Sequence, residues 1–156
     1  MRDYPETPAP ADPPPPLATV LVVEDDDQVR RLMRQVLEMD LYRVLEARNG
    51  EEALALDGEY RGPLDLLVAD LAMPRMGGQE LAVRLVARHP ALRVLYVSGY
   101  TILESPTHGV LPPGLPFLQK PFSVDIFSQM VRELLGTRAG PAAPPAPAPP
   151  PWPDNP

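Results

Sequence analysis

Short apolar runs alternate along the chain with segments whose apolar residues recur at helical spacing. Short, mostly apolar runs bounded by polar residues are typical of buried strands. Such runs occupy 20–23, 42–47, 64–69, 92–97 and 115–119, and the run at 42–47 is the weaker signal. Apolar residues three and four apart predict amphipathic helices, here over 28–39, 51–56, 79–88 and 127–135. An irregular segment is expected at 101–114, where Pro106 disfavours a full helix.

Polar residues and glycines mark several of the predicted helix ends. Asp26 or Asp27 is a suitable N-cap for the first helix, and Ser123 for the last. The second helix is expected to end near Gly58 and the last at Gly136, because glycine adopts the conformation that commonly follows a helix. The alternation of strands and helices favours a parallel sheet covered on both faces. We therefore expect an α/β, flavodoxin-like doubly wound sheet of five parallel strands in the order 2-1-3-4-5, with flanking helices.

Proline divides the chain into a central part and two tails. Of the 24 prolines, sixteen lie in 1–16 and 141–156. Proline cannot donate a backbone hydrogen bond or continue a helix, so these tails are expected to be polyproline II or disordered coil. The predicted organisation is a disordered Pro-rich tail at 1–16, a folded domain at 17–138 and a second disordered tail at 139–156.

Charge and composition exclude several classes of function. The formal net charge is -7 and cysteine is absent. An acidic surface argues against nucleic-acid binding, and without cysteine there is neither a disulfide framework nor a thiolate metal site. No apolar run approaches the roughly 20 residues that a membrane helix needs, and the N-terminus does not resemble a secretory signal. We expect a cytoplasmic protein that contacts neither nucleic acid nor membrane.

Polar side chains follow four of the predicted strands, at the edge where parallel sheets bind ligands. They are Glu24 and Asp25 after the first strand, Asp70 after the third, Ser98 after the fourth and Lys120 after the fifth. Converging carboxylates repel one another, which raises a pKa unless a cation intervenes. Mg²⁺ prefers such oxygen ligands, and an aspartate can attack phosphorus. The pattern predicts phosphoryl transfer, with Asp70 as nucleophile and Glu24 and Asp25 holding the metal.

Four segments resemble the motifs of the two-component response-regulator receiver domain. They are Val-Val-Glu24-Asp25-Asp26, Leu-Val-Ala-Asp70-Leu-Ala-Met73-Pro74, Val-Ser98-Gly99-Tyr100 and Phe117-Leu-Gln-Lys120-Pro121-Phe122. The resemblance covers about 18–136, and its wording is similar to the receivers of hybrid histidine kinases. It implies a phosphoprotein of two-component phosphorelay signal transduction, phosphorylated on Asp70 by a histidine kinase or a phosphotransfer protein.

The resemblance also implies a role for each residue of the predicted site. Mg²⁺ is the expected cofactor, held by the carboxylates of Glu24, Asp25 and Asp70 and by the backbone carbonyl of Ala72. The other implied features are phosphoryl contacts from Lys120 and Ser98, an inward-turning switch aromatic at Phe117 and a cis Lys120–Pro121 peptide. Ordinary core packing remains an alternative for Phe117.

A receiver is a signalling module rather than an enzyme, and promotes only its own phosphorylation and dephosphorylation. Because only a short tail follows the predicted domain, output is expected through contacts with a downstream protein that the sequence does not name. Whether the chain is a switch, a relay or a phosphate sink stays open. A phosphorylation-dependent dimer is a further expectation, although Pro106 puts the usual dimer geometry in doubt.

Two other functions fit parts of the pattern. A pseudo-receiver that docks partners without phosphorylation would not need the complete acidic set. A phosphatase with an aspartate nucleophile would need a second aspartate two residues later, where this chain has Ala72. Asp26 and Asp27 retain the helix-cap interpretation, and His89 and His108 are expected to be surface residues without a role.

Overall fold

The computed structural model describes residues 16–99 and 115–136. The strands are β1 (Thr19–Val23), β2 (Arg43–Ala47), β3 (Leu66–Asp70), β4 (Arg93–Ser98) and β5 (Phe117–Gln119). The helices are α1 (Asp27–Met39), α2 (Gly50–Glu59), α3 (Gly78–Arg88) and α4 (Val124–Leu135). Within the described residues, the strands form a five-stranded parallel sheet in the order β2-β1-β3-β4-β5. The predicted fold class and strand order are confirmed.

The two faces of the sheet carry different helices. Side chains alternate between the faces of a strand, so in β1 Val20 and Val22 face α1 and α4, whereas Leu21 and Val23 face α2 and α3. These four residues are at most 1% exposed. The near-continuous apolar character of β1 and β3 therefore follows from burial on both faces.

Predicted helix ends at aspartate, serine and glycine are largely confirmed. The Asp26 carboxylate accepts hydrogen bonds from the backbone N–H groups of Gln28 and Val29, so Asp26 caps α1. Ser123 caps α4 by accepting from the N–H of Ile126. Gly136 follows α4 with a φ of 65°, a conformation that favours glycine.

The prediction that the second helix ends near Gly58 is confirmed, because the last residue of α2 is Glu59. The helix continues through Glu59, and the Tyr60 N–H still donates to the carbonyl of Leu56. A glycine inside a helix costs only about 1 kcal/mol.

Several predictions fall on segments that the structure does not describe. The Pro-rich tails, the segment 101–114, and the residues Tyr100 and His108 lie outside the described residues. Among the residues that are described, no helix combines the length and apolarity needed to cross a membrane.

Candidate functional site

The sheet register brings the predicted polar residues to one edge. β1 pairs with β3 so that Val23 lies opposite Ala69, which places Glu24 beside Asp70 at the ends of these strands. β3 pairs with β4 so that Asp70 lies opposite Val97, and Ser98 follows directly. β5 ends at Gln119, opposite Ser98, and Lys120 comes next. Residues almost a hundred positions apart thus meet because parallel strands end together.

Lys120 connects the two buried carboxylates. Its Nζ donates to Glu24 Oε2 at 2.7 Å and to Asp70 Oδ2 at 2.9 Å. The Glu24 and Asp70 side chains are 1% and 7% exposed, and that of Lys120 is 21% exposed. Burial strengthens these charged contacts because little solvent screens them. The two carboxylates also raise the pKa of Lys120, against the effect of its own burial.

Asp70 is held through both of its carboxylate oxygens and through its backbone. While Oδ2 accepts from Lys120, Oδ1 accepts from the Ala72 N–H at 2.9 Å. Gly78 begins α3 directly against the Asp70 backbone, where an added Cβ would lie 2.5 Å from the Asp70 carbonyl oxygen. Asp70 is therefore held in one orientation, with both of its oxygens at the sheet edge.

Asp25 adds a third carboxylate to this edge. One carboxylate oxygen from each of Glu24, Asp25 and Asp70 can be chosen so that all three lie within 4.8 Å of one another. Asp25 is exposed, whereas Glu24 and Asp70 are buried. A divalent cation that prefers oxygen ligands fits this donor set, and it could enter from the side of Asp25.

The carboxyl group of Glu24 has a raised pKa. Burial raises its pKa to about 7, and the charge of Asp70 acts in the same direction. Hydrogen bonding to Lys120 partly opposes this effect. The prediction that converging carboxylates raise a pKa is thus confirmed in direction, but desolvation by burial is the larger cause.

Other predicted site residues are placed at or near the same edge. The Lys120–Pro121 peptide is cis, as predicted. The buried Ser98 ends β4, and its carbonyl accepts from the Lys120 N–H at 2.8 Å. Phe117 begins β5 and packs, partly buried, against the core on the α2–α3 face. Roles in switching for Ser98 and Phe117, and a metal contact from the Ala72 carbonyl, stay predictions.

Arg30 was not identified from the sequence, although this residue contacts the acidic loop (residues 24–26) between β1 and α1. Its Nη1 donates to the Glu24 carbonyl at 2.8 Å, and its Nη2 pairs with the Asp27 carboxylate. The spacing of Asp27 and Arg30, three residues apart on a helix, is a pattern that could have identified the ion pair. The contact with Glu24 depends on the bend between β1 and α1, which the sequence pattern does not specify.

His89, expected to be a surface residue without a role, has a side chain that is 22% exposed and contacts a buried carboxylate. Its Nε2 lies 2.6 Å from Asp57 Oδ1, and Arg88 Nη1 lies 3.1 Å from Asp57 Oδ2. The Asp57 side chain is 1% exposed. His89 caps the end of α3 and is drawn to this buried carboxylate of α2, so its contact is between two packed helices.

Comparisons with known proteins agree with this geometry. The family model of the response regulator receiver domain matches residues 20–132. The chain is 31% identical over 108 residues to the response regulator receiver protein CpdR of Brucella abortus (strain 2308), which covers 69% of this chain and 88% of CpdR. It is 40% identical over 96 residues to the sensor kinase CckA of the same organism, covering 60% of this chain. That match spans only 10% of the kinase.

Solved structures show the same architecture. The receiver domain of the hybrid histidine kinase CckA superposes with a TM-score of 0.64 at 33% identity, covering 76% of this chain and 99% of that domain. The Vibrio cholerae chemotaxis protein CheY4 gives a TM-score of 0.63 at 28% identity, covering 75% and 98%. Receiver domains are signalling modules of two-component phosphorelays, generally not enzymes, and they bind Mg²⁺ at an acidic pocket. Sequence, fold and acidic edge together show that this chain belongs to the response regulator receiver domain family.

Proposed function

We propose that this chain is a phosphoacceptor that carries a phosphoryl group on Asp70. The observation that supports this assignment most strongly is the arrangement around Asp70. Its buried carboxylate is oriented by Lys120 and by the Ala72 N–H, and it lies among further acids that suit a divalent cation. Phosphoryl transfer mainly needs such positioning and charge neutralisation, rather than elaborate covalent chemistry.

The proposed donor is a phosphohistidine of a histidine kinase or a phosphotransfer protein. An Asp70 carboxylate oxygen attacks the phosphorus atom, forming an O–P bond as the N–P bond to the imidazole breaks. The electron pair of the broken bond leaves with the imidazole nitrogen. The products are an acyl phosphate on Asp70 and a free histidine on the donor, so no other reactant is required.

Mg²⁺ is the proposed cofactor, because the available donors are hard oxygen atoms. Glu24, Asp25 and Asp70 would hold it through their carboxylates, and Ala72 through its backbone carbonyl. When bound, the ion would supply positive charge that offsets the charge of the phosphoryl oxygens. Glu24 would bind it as a carboxylate, so its raised pKa makes metal binding sensitive to pH.

Lys120 and Ser98 are proposed to contact the phosphoryl group. The Lys120 ammonium already lies 2.9 Å from the Asp70 carboxylate, so a phosphoryl group on Asp70 would be formed beside it. Ser98 ends the strand next to β3 and would offer its hydroxyl. Phe117 begins the next strand, opposite Tyr96, and is proposed to respond to the movement of Ser98.

The signal is proposed to pass to a downstream protein that distinguishes the phosphorylated from the unphosphorylated surface. In any receiver, the site must accept a phosphoryl group from one protein, and the phosphorylated surface must be recognised by another. We propose a cytoplasmic location and contacts with proteins alone, including a phosphorylation-dependent dimer.

Phosphorylation can be tested by intact mass spectrometry of the full chain with Mg²⁺ and acetyl phosphate or phosphoramidate. The wild type is expected to gain the mass of one phosphoryl group, and Asp70→Asn to gain none. Asp26→Asn is a matched control, because Asp26 caps α1 and asparagine caps equally well. A wild type that stays unmodified with both donors, or an Asp70→Asn variant that is still modified, would contradict the proposal.

A further inference from the structure

The backbone of Glu24 is held at both its N–H and its carbonyl by other parts of the chain. The Glu24 N–H donates to the Ala47 carbonyl of β2 at 3.1 Å. The Glu24 carbonyl accepts from Arg30 Nη1 at 2.8 Å. This carbonyl belongs to the peptide that joins the two acids. Holding the Glu24 carbonyl therefore fixes the direction in which the chain runs from Glu24 to Asp25.

Arg30 makes its other contacts on two further elements. Nη2 pairs with the carboxylate of Asp27, the first residue of α1, and Nε lies 3.7 Å from Glu46 Oε1 on β2. The Arg30 side chain is only 14% exposed. Because a guanidinium is planar and presents its N–H donors in a fixed fork, these partners leave it little freedom. The acidic loop is thereby tied to both α1 and β2.

We propose that Arg30 is a positioning residue that sets the acidic loop for the divalent cation. This inference rests on the proposed metal site and adds to it a residue that would not touch the metal. Arg30 acts through the backbone of Glu24, in the way that outer partners of metal ligands orient them. In its absence, the Glu24–Asp25 peptide could rotate, and the two carboxylates would no longer be presented together.

The electrostatic effect of Arg30 has the opposite sign, which makes the inference testable. A guanidinium close to a cation site repels the cation. If Arg30 acted only through its charge, its removal would tighten Mg²⁺ binding. If Arg30 positions the loop, its removal weakens binding despite the loss of a repelling charge.

Arg34 provides a matched control one helical turn further along α1. Its Nη1 contacts the same Glu46 carboxylate as Arg30, at 2.8 Å. Arg34 pairs with Glu46 and Glu38, neither of which belongs to the acidic loop. Arg34→Ala thus removes the same charge and a contact with the same glutamate, and leaves the Glu24 carbonyl bonded to Arg30.

The experiment titrates the full chain with Mg²⁺ alone by isothermal calorimetry, for wild type, Arg30→Ala, Arg30→Lys and Arg34→Ala. Arg30→Ala is expected to weaken affinity about tenfold, Arg34→Ala to change it less than about twofold, and Arg30→Lys to fall between them. In the metal-free proteins, hydrogen exchange in the segment 24–27 should accelerate in Arg30→Ala alone. Thermal unfolding in parallel measures any general loss of stability.

Each outcome decides a separate claim. A wild type that does not bind Mg²⁺ would overturn the metal site itself, and with it the purpose assigned to Arg30. A wild type that binds normally, beside an Arg30→Ala variant with equal or tighter affinity, would overturn the positioning role alone. Equal weakening in Arg34→Ala would also overturn it, because that result assigns the effect to α1 in general.

Discussion

Two clusters of charged residues bury carboxylates, but their charges are balanced differently. They are the sheet-edge cluster (Glu24, Asp25, Asp70 and Lys120) and the α2–α3 cluster (Asp57, Arg88 and His89). The sheet-edge cluster combines three acids with one amine. The α2–α3 cluster combines one acid with an arginine and a histidine. A buried charge is costly unless it is paired, and in the α2–α3 cluster Arg88 pairs with Asp57 at 3.1 Å. The excess of acid at the sheet edge instead favours binding of a further cation.

The two clusters differ in features other than burial that distinguish a structural ion pair from a candidate functional site. Burial alone does not distinguish them, because Asp57 and Glu24 are equally inaccessible. The acids of the sheet-edge cluster come from the ends of β1 and β3, where sheet register fixes them. The α2–α3 cluster instead joins two neighbouring helices and so contributes to their packing.

Replacing the basic residue of the sheet-edge cluster should slow phosphorylation of Asp70, whereas replacing the arginine of the α2–α3 cluster should not. Lys120→Met is expected to slow phosphorylation of Asp70 by about 10²-fold or more, because it removes a donor from the charge that develops in transfer. Arg88→Met removes the half-exposed partner of Asp57 and should change the rate less than about twofold. Initial rates with acetyl phosphate and Mg²⁺, followed by mass, measure both. Similar rates in the two variants would break the distinction.

Neutralising the buried acid should lower the free energy of unfolding more in the α2–α3 cluster than in the sheet-edge cluster. Asp57→Asn is expected to lower the free energy of unfolding by about 2 kcal/mol, since it leaves Arg88 and His89 without their carboxylate. Asp70→Asn in metal-free protein should change it by less than about 1 kcal/mol, because the change also relieves repulsion with Glu24. Urea unfolding at pH 7.5 measures both. A larger loss from Asp70→Asn would show that the sheet-edge cluster is the structural one.

The raised pKa of Glu24 predicts the smallest of these effects, on Mg²⁺ affinity. Burial raises that pKa to about 7, so Glu24 is mostly ionised at pH 8 and mostly protonated at pH 6. Because the metal requires the carboxylate, affinity should fall about tenfold from pH 8 to pH 6. Calorimetric titrations at the two values measure it, and Glu24→Gln should bind weakly at both. A wild-type affinity that is the same at pH 6 and pH 8 would contradict this account of Glu24.

Most of the fold, and the positions of the residues of the sheet-edge cluster, could be predicted from the sequence. The strands are nearly continuous in apolar residues, and a parallel sheet places their carboxyl ends together, so Glu24, Asp70 and Lys120 follow from their positions after strands. The Lys120–Pro121 peptide was predicted to be cis from family resemblance, since local chemistry permits either isomer.

The contacts that were missed depend on tertiary structure. Arg30 reaches Glu24 only because the loop after β1 turns the Glu24 carbonyl towards α1. Asp57 is buried where α2 packs against α3, and it contacts His89 at the end of α3. No periodicity within a single element encodes these relations. The sequence pattern therefore identifies which residues reach the site more readily than it identifies what holds them there.

The central claim is that Glu24, Asp25 and Asp70 hold one divalent cation beside Lys120. The most direct test is a crystal structure of the full chain soaked in Mn²⁺, with the metal located by its anomalous scattering. A single strong peak is expected within coordinating distance of all three carboxylates. A peak at another site, or no peak beside Asp70 in crystals whose carboxylates are open to solvent, would contradict it.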